Sequence, residues 1–89
     1  MIRQRVTIVN KLGLHARAAN KFVDTAAQYA SQIEVSKDSK AVDGKSIMAV
    51  MLLAAAKGDE LELRIEGEDE QQALSAISEL IARRFDEDE

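Results

Sequence analysis

The sequence contains no cysteine, so neither a disulfide bond nor a thiolate-bound metal can hold this chain together. Its only aromatic residues are Phe22, Tyr29 and Phe85, which are too few to form a stacking surface for nucleic-acid bases. No segment has the roughly 20 consecutive apolar residues that cross a bilayer. The N-terminal MIRQRVTIVN alternates polar and apolar residues, unlike the apolar core of a signal peptide. We therefore expect a cytoplasmic protein that does not insert into a membrane.

Basic residues are fewer than acidic residues. Sixteen Asp and Glu stand against twelve Lys and Arg, which gives a formal net charge of −4. A nucleic-acid-binding face needs an excess of basic side chains to replace the counterions of the phosphates, so no nucleic-acid partner is expected. The acids concentrate in FDEDE at residues 85–89, which this composition predicts to be a frayed, solubilising tail.

Hydrophobic residues make up 46% of the 89 positions, enough for a modest core in one domain over residues 1–89. Four segments alternate between apolar and polar residues and are predicted to be strands: 2–9, 32–36, a weaker one at 40–42, and 60–66. Each has one apolar and one polar face. The resulting sheet should therefore be covered on one side only.

Three segments carry the three- and four-residue spacing of amphipathic helices. The first spans 16–30. The second spans 46–58, with Ser46 as its N-cap and Gly58 closing it. The third spans 69–85, with Leu74, Ile77, Ile81 and Phe85 on one stripe. The order β-α-β-β-α-β-α predicts an α+β open-faced β-sandwich, in which a four-stranded antiparallel sheet with split βαβ connectivity carries three helices on one face.

His15 is the only histidine and directly precedes the first predicted helix. Taken by itself, such a residue is typical of a polar surface position or a weak helix cap. A metal site is disfavoured, because no second His or Cys could share the ion. A hydrolytic triad fails too, since any nucleophile would depend on this one ring.

The neighbours of His15 favour a functional role. Gly13 allows a sharp bend that would present the ring at the helix N-terminus. The first amides of the helix, at Ala16, Arg17 and Ala18, have no partner within it and form an anion site, and the Arg17 guanidinium suits phosphate oxygens. The positive helix end favours a neutral, nucleophilic imidazole. Together these features predict a histidine that carries a phosphoryl group.

The segments NKLGLHARAANKF and VDGKSIMAVMLLAAAKGDELEL, with ISELI in the last helix, resemble the HPr family. These are the histidine-containing phosphocarriers of the phosphoenolpyruvate-dependent phosphotransferase system. The resemblance covers essentially the whole chain. The ending FDEDE and the run LLAAAKG are most similar to the nitrogen-branch paralogue, NPr.

The resemblance implies that His15 is phosphorylated on Nδ1 and that Arg17 stabilises the phosphoryl group. It also implies an enzyme I-type donor, an EIIA-type acceptor, a monomeric carrier that is not itself an enzyme, and no cofactor or metal. One position departs from the family pattern, which has proline where this chain has Ala18. Alanine keeps the helix and restores one amide donor, so we expect the properties of the site to be adjusted and its function to be retained.

The second helix is apolar almost all the way round, so it is either sunk into the core or partly exposed. The resemblance favours exposure, with Ile47, Met48 and Met51, together with Asn20, docking the donor and the acceptor. Ser46 is predicted to be an N-cap, and the matching serine is a regulatory phosphorylation site in some members of the family.

Three alternatives remain open at the level of the sequence. The chain could be a sugar-branch HPr coupled to sugar uptake, or a regulatory binding module of the same fold that passes no phosphoryl group onward. It could also be a ferredoxin-like ligand-binding module with no covalent step. Phosphorylation of His15 and onward transfer separate the three.

Overall fold

Four strands and three helices follow one another in the predicted order in the computed structural model, which describes all residues from Met1 to Glu89. They are β1 (Ile2–Thr7), α1 (Ala16–Ala26), β2 (Gln32–Lys37), β3 (Lys40–Asp43), α2 (Ile47–Leu52), β4 (Glu60–Glu66) and α3 (Glu70–Ala82). A short turn over Arg84–Asp86 follows α3. None of the helices is both long and apolar enough to span a bilayer.

The strands form one sheet in the order β1-β4-β2-β3, and every neighbouring pair is antiparallel. Strands β1 and β2 therefore run parallel to each other with β4 between them, which confirms the split connectivity. Ile33 pairs with Ile65 and Val35 with Leu63. These pairs place apolar side chains of adjacent strands side by side on one face.

That face is the one that the helices cover. Leu61, Leu63 and Ile65 of β4 are buried, whereas the alternate residues of the strand remain partly or fully exposed. Phe22 of α1 and Ile77 of α3 are fully buried and belong to the same cluster of 20 buried apolar residues. Burying one such side chain stabilises the fold by about 1.5–3 kcal/mol. The predicted open-faced sandwich with helices on one side is confirmed.

Helix α1 ends at Ala26, four residues earlier than predicted. The amides of Ala30 and Ser31 donate to the two carboxylate oxygens of Asp69 at 2.8 and 3.0 Å. These bonds hold residues 27–31 in a turn that delivers the chain to β2. The contact with Asp69, which is distant in the sequence, ends the helix although the helical spacing of apolar residues continues to Ala30.

Helix α2 ends at Leu52, so the prediction of a helix to residue 58 was wrong in its second half. Ala54 has φ of 51°, and the Lys37 ammonium donates to the carbonyl oxygens of Leu53 and Ala54 at 3.4 and 3.2 Å. Gly58 does not close the helix. Its amide donates to the carbonyl of Ile8 at 2.8 Å, in the turn that leads to β4.

Helix α3 ends at Ala82 and does not reach Phe85 as predicted. Arg84, Phe85 and Asp86 all have positive φ, at 59°, 53° and 62°. This left-handed turn still buries Phe85 completely, and it redirects the last residues toward the start of α1. The expectation of a frayed acidic tail was therefore wrong, because a buried aromatic side chain anchors it.

Candidate functional site

The loop before α1 presents His15 at the first turn of that helix. Gly13 has φ of +69°, and a Cβ there would collide with the carbonyl oxygen of Ala55 and lie 2.9 Å from the Cα of Ala56. Only glycine fits, which confirms the predicted bend. Leu14 is buried and its amide donates to Ala55, so the next residue, His15, falls at the N-cap of α1. The His15 side chain is 29% exposed.

The His15 ring is held on one side. Its Nε2 atom lies within hydrogen-bond distance of the Glu87 carboxylate, although 72 positions separate the two residues. No protein group forms a hydrogen bond with Nδ1. The ring is thus fixed through one nitrogen while the other remains available to a reaction partner.

The Glu87 carboxylate is ionised at neutral pH. Its side chain is only 12% exposed, and this burial raises the pKa of the carboxyl group. Hydrogen bonds with Asn10 and His15 and the charge of Arg17 act in the opposite direction and together outweigh burial. The pKa of Glu87 therefore lies below its ordinary value.

Unpaired donors follow His15 at the start of α1. The amides of Ala16, Arg17 and Ala18 have no hydrogen-bond acceptor in the protein, as the helix start predicts. The Arg17 guanidinium is exposed and makes no ion pair, and it lines the same open cleft as His15 and Glu87. A helix N-terminus stabilises an anion by about 0.3–1 kcal/mol. The arrangement suits a bound phosphoryl group.

The acidic tail forms one wall of this cleft. Lys11 bonds to Glu89 through both its amide and its ammonium group, at 3.0 and 3.2 Å. The Lys21 ammonium donates to the Phe85 carbonyl at 3.1 Å and lies 3.5 Å from the Asp86 carboxylate. These contacts tie the tail to the loop before α1 and to α1 itself.

Two residues of the site, Asn10 and Glu87, were missed in the sequence. Asn10 is fully buried, and its amide nitrogen donates both to the Gly13 carbonyl at 2.8 Å and to Glu87 at 3.0 Å. The only available signal was an aromatic residue, Phe85, inside the acidic tail. An apolar side chain so close to a chain end predicts that the end is packed against the protein.

Helix α2 presents an apolar surface. Val50 and Leu53 are buried, whereas Ile47, Met48, Met51 and Leu52 are 40%, 74%, 39% and 65% exposed. The prediction that part of this helix stays outside the core is confirmed, and we refer to these four exposed residues as the α2 patch. The exposed fraction is large for apolar side chains that lie next to one another.

Two further predicted residues flank these features. The Ser46 hydroxyl accepts a hydrogen bond from the Ala49 amide at 3.3 Å, which confirms the N-cap of α2. Asn20 is exposed on α1, one turn after the unpaired amides of the helix start. The structure leaves both residues accessible from solvent, Ser46 only in part.

Comparison with known proteins gives consistent matches. A family model described as the PTS HPr component phosphorylation site matches residues 2–83. The phosphocarrier protein HPr of Pseudomonas aeruginosa is 60% identical over 85 residues, covering 94% of each chain. A crystal structure of an HPr from Thermoanaerobacter tengcongensis superposes with a TM-score of 0.96 at 45% identity over the whole of both chains. A dimeric crystal structure of HPr from the same organism superposes with a TM-score of 0.79 at 46% identity, covering 98% of this chain and all of the other.

Proposed function

Because this chain belongs to the HPr family of phosphocarrier proteins of the phosphotransferase system, we propose that His15 is the residue that carries the phosphoryl group. A member of this family is a phosphocarrier and not a catalytic enzyme, since its own side chain is what becomes phosphorylated. One observation carries the assignment. The only imidazole of the chain stands at a helix N-terminus with Nε2 bonded to Glu87 and Nδ1 free.

In this proposal the phosphoryl group is bound to Nδ1 of His15. The amides of Ala16, Arg17 and Ala18 and the guanidinium of Arg17 donate to its oxygens. A charge-assisted hydrogen bond contributes about 1.5–3 kcal/mol. Terms of this size stabilise the phosphorylated form without making it too stable to pass the group on. Ala18 supplies an amide where the family pattern has proline, so the site has one donor more.

The partners follow from the family. We propose an enzyme I-type phosphoryl donor, itself charged from phosphoenolpyruvate, and an EIIA-type acceptor, each docking on the α2 patch and Asn20 beside His15. The patch is apolar and exposed, as a surface that meets more than one partner needs to be. The chain acts as one carrier domain over residues 1–89 and works as a monomer, since each copy contains a complete site.

We further propose that the protein serves the nitrogen-related regulatory branch. The ending FDEDE and the run LLAAAKG, which resemble NPr, support this assignment over the sugar branch. The test is a competition in which the phosphorylated protein is offered a nitrogen-type and a sugar-type EIIA together. Faster transfer to the sugar-type acceptor would assign the protein to sugar uptake instead.

Ser46 is proposed as a secondary, regulatory position. Its hydroxyl caps α2 at the edge of the α2 patch. A phosphate there would strengthen the cap through the helix dipole and add negative charge to the docking surface. Incubation with an HPr serine kinase followed by mass spectrometry tests the site, with Ser46→Ala as the control.

The central experiment is intact-mass analysis after incubation with phosphoenolpyruvate, magnesium and an enzyme I. We expect the addition of one phosphate that is lost in acid and retained in alkali, as a phosphoramidate requires, and no addition in His15→Ala. An acid-stable phosphate would place the chemistry on a hydroxyl group. No phosphate at all would favour a binding module, and a phosphate that no EIIA accepts would favour a regulatory protein.

A further inference from the structure

The hydrogen bond between His15 and Glu87 determines which nitrogen of the ring holds the proton. A neutral imidazole carries one proton, either on Nδ1 or on Nε2. An ionised carboxylate can only accept a hydrogen bond, so the Nε2 atom that contacts Glu87 must be the donor. The Nδ1 atom is then left with its lone pair. No other protein group competes for that lone pair.

Glu87 is itself held in place by a buried side chain. Asn10 is completely inaccessible to solvent, and its amide nitrogen donates to the Gly13 carbonyl at 2.8 Å and to Glu87 Oε1 at 3.0 Å. Both N–H groups of Asn10 are used, so the amide cannot turn over without losing two bonds. One carboxylate oxygen of Glu87 therefore faces Asn10 and the other faces the ring.

The tail that carries Glu87 is anchored on either side of it. Phe85 is fully buried two positions earlier, and a main-chain oxygen of Glu89 accepts from the Lys11 amide two positions later. The carboxylate is thus presented by a fixed stretch of backbone. Such double support is what a group needs to hold a ring within the narrow range of geometry that transfer requires.

We propose that Glu87 is a positioning residue for phosphoryl transfer, which keeps the proton of His15 on Nε2 so that Nδ1 is the atom that attacks and later releases phosphorus. The inference rests on the proposed function, because it concerns how His15 carries the phosphoryl group. It assigns Asn10 the task of orienting Glu87.

The step balances without a proton from solvent. The Nδ1 lone pair attacks the phosphorus of the phosphorylated donor protein. The Nδ1–P bond forms as the donor's bond to phosphorus breaks, and the electron pair of that bond stays with the donor. The ring becomes an imidazolium whose positive charge faces the Glu87 carboxylate. When the acceptor protein takes the phosphoryl group, the electron pair of the Nδ1–P bond returns to Nδ1 and restores the neutral ring.

The retained proton matters most for release. A ring protonated on Nε2 departs from phosphorus as neutral imidazole, whereas a ring without that proton would have to depart as an anion. The phosphoryl group itself is bound to Nδ1, and Arg17 lines the same cleft without an ion pair of its own. Glu87 contacts Nε2, the other ring nitrogen, so its carboxylate does not occupy the position of the phosphoryl group.

The variant Glu87→Gln tests the proposal directly. Because the Asn10 amide donates toward residue 87, the new carbonyl oxygen should face Asn10 and the new NH₂ group should face His15. Nε2 must then accept, so the proton moves to Nδ1 and blocks the attacking atom. A wrong ring tautomer of this kind is very costly in a serine protease in which the orienting carboxylate is replaced by its amide.

The measurement has two readouts. In ¹⁵N NMR spectra of the unphosphorylated protein we expect the proton on Nε2 in the unmodified chain and on Nδ1 in Glu87→Gln. We expect phosphorylation of His15 by an enzyme I to slow by about 10- to 100-fold, the size of one charge-assisted hydrogen bond. Glu79→Gln is the matched control, since it makes the same chemical change on an exposed residue of α3 whose side chain forms no hydrogen bond. It should leave both readouts unchanged.

Three outcomes would overturn the inference. The first is a proton on Nδ1 in the unmodified protein. The second is an unchanged transfer rate in Glu87→Gln with a native melting curve. The third is faster transfer in Glu87→Gln, which would mean that the tail shields the ring instead of orienting it. Failure of the proposed function would give a different result. In that case the unmodified protein would take up no phosphate, or His15→Ala would still take up phosphate.

Discussion

Asn10 and Glu87 share a hydrogen bond of 3.0 Å although 77 positions separate them in the chain. The bond joins the loop that follows β1 to the last few residues of the protein. His15 stands at the end of the first segment and contacts the second through its Nε2 atom. The site is therefore assembled from both ends of the sequence, and its geometry depends on the whole fold.

Arg17 is expected to contribute most in the transition state, where charge spreads over the moving phosphoryl oxygens. Arg17→Ala should slow phosphoryl transfer by about 10- to 1,000-fold, which is what the loss of one charged donor implies. Rapid-quench kinetics with a phosphorylated enzyme I measures the effect. Arg17→Lys keeps the positive charge but lacks the planar guanidinium group, so its transfer rate should lie between those of the unmodified protein and Arg17→Ala. Unchanged kinetics in Arg17→Ala would mean that the backbone amides alone are sufficient.

Gly13 should tolerate no side chain. Gly13→Ala places a Cβ at φ of +69° and against the Ala55 carbonyl, so it carries both the left-handed backbone cost of about 1–2 kcal/mol and a collision. Gly58→Ala is the matched control, because φ there is +91° and no atom lies within 4 Å of the added Cβ. Urea unfolding should therefore show a larger loss for Gly13→Ala. Equal losses would show that the loop relaxes freely around the new methyl group.

Strands were easier to predict from the sequence than helix ends. The alternation of ELELRIE fixes β4 at Glu60–Glu66, residue for residue, because only one phase of the pattern buries Leu61, Leu63 and Ile65. The ends of α1 and α2 depend on Asp69 and Lys37, which reach them from other elements. No local pattern carries that information.

The candidate site divides in the same way. His15, Gly13 and Arg17 stand within five positions of one another, so their relation could be predicted from helix-start chemistry alone. Glu87 reaches His15 only because three successive left-handed residues turn the chain back after α3. Positive φ at Arg84, Phe85 and Asp86 has no signature in the residue types, since none of them is glycine. This contact could not be predicted without the tertiary structure.

Asp69 should make the stability of the fold depend on acid pH. The hydroxyl of Ser31 and the amide of Ala30 hold the pKa of Asp69 below its usual value of 3.8. The folded state therefore binds this proton less readily than the unfolded state does. The stabilisation is fully present above about pH 3.8 and is lost as the pH falls through the lower pKa of the folded state.

The experiment compares the unmodified protein with Asp69→Asn in urea unfolding at a series of pH values. We expect Asp69→Asn to be less stable at pH 6, and the difference to shrink as the pH falls below 3.8. Asp24→Asn serves as the control, because Asp24 is exposed on α1 and its side chain makes no hydrogen bond. A difference between Asp69→Asn and the unmodified protein that stayed constant down to pH 2 would assign the effect to side-chain shape and not to charge.

Met48 is expected to matter for docking and hardly at all for stability. Its side chain is 74% exposed, so Met48→Glu should change the free energy of unfolding by less than about 0.5 kcal/mol. The same carboxylate would be buried without a partner when a protein docks on the α2 patch, which costs up to several kcal/mol. Isothermal titration with enzyme I should therefore show weaker binding, whereas the melting temperature should stay unchanged. Gln72→Glu adds the same charge on an exposed face of α3 and should bind normally. A sharp fall in the melting temperature of Met48→Glu would instead make Met48 part of the core, and the docking surface would have to lie elsewhere.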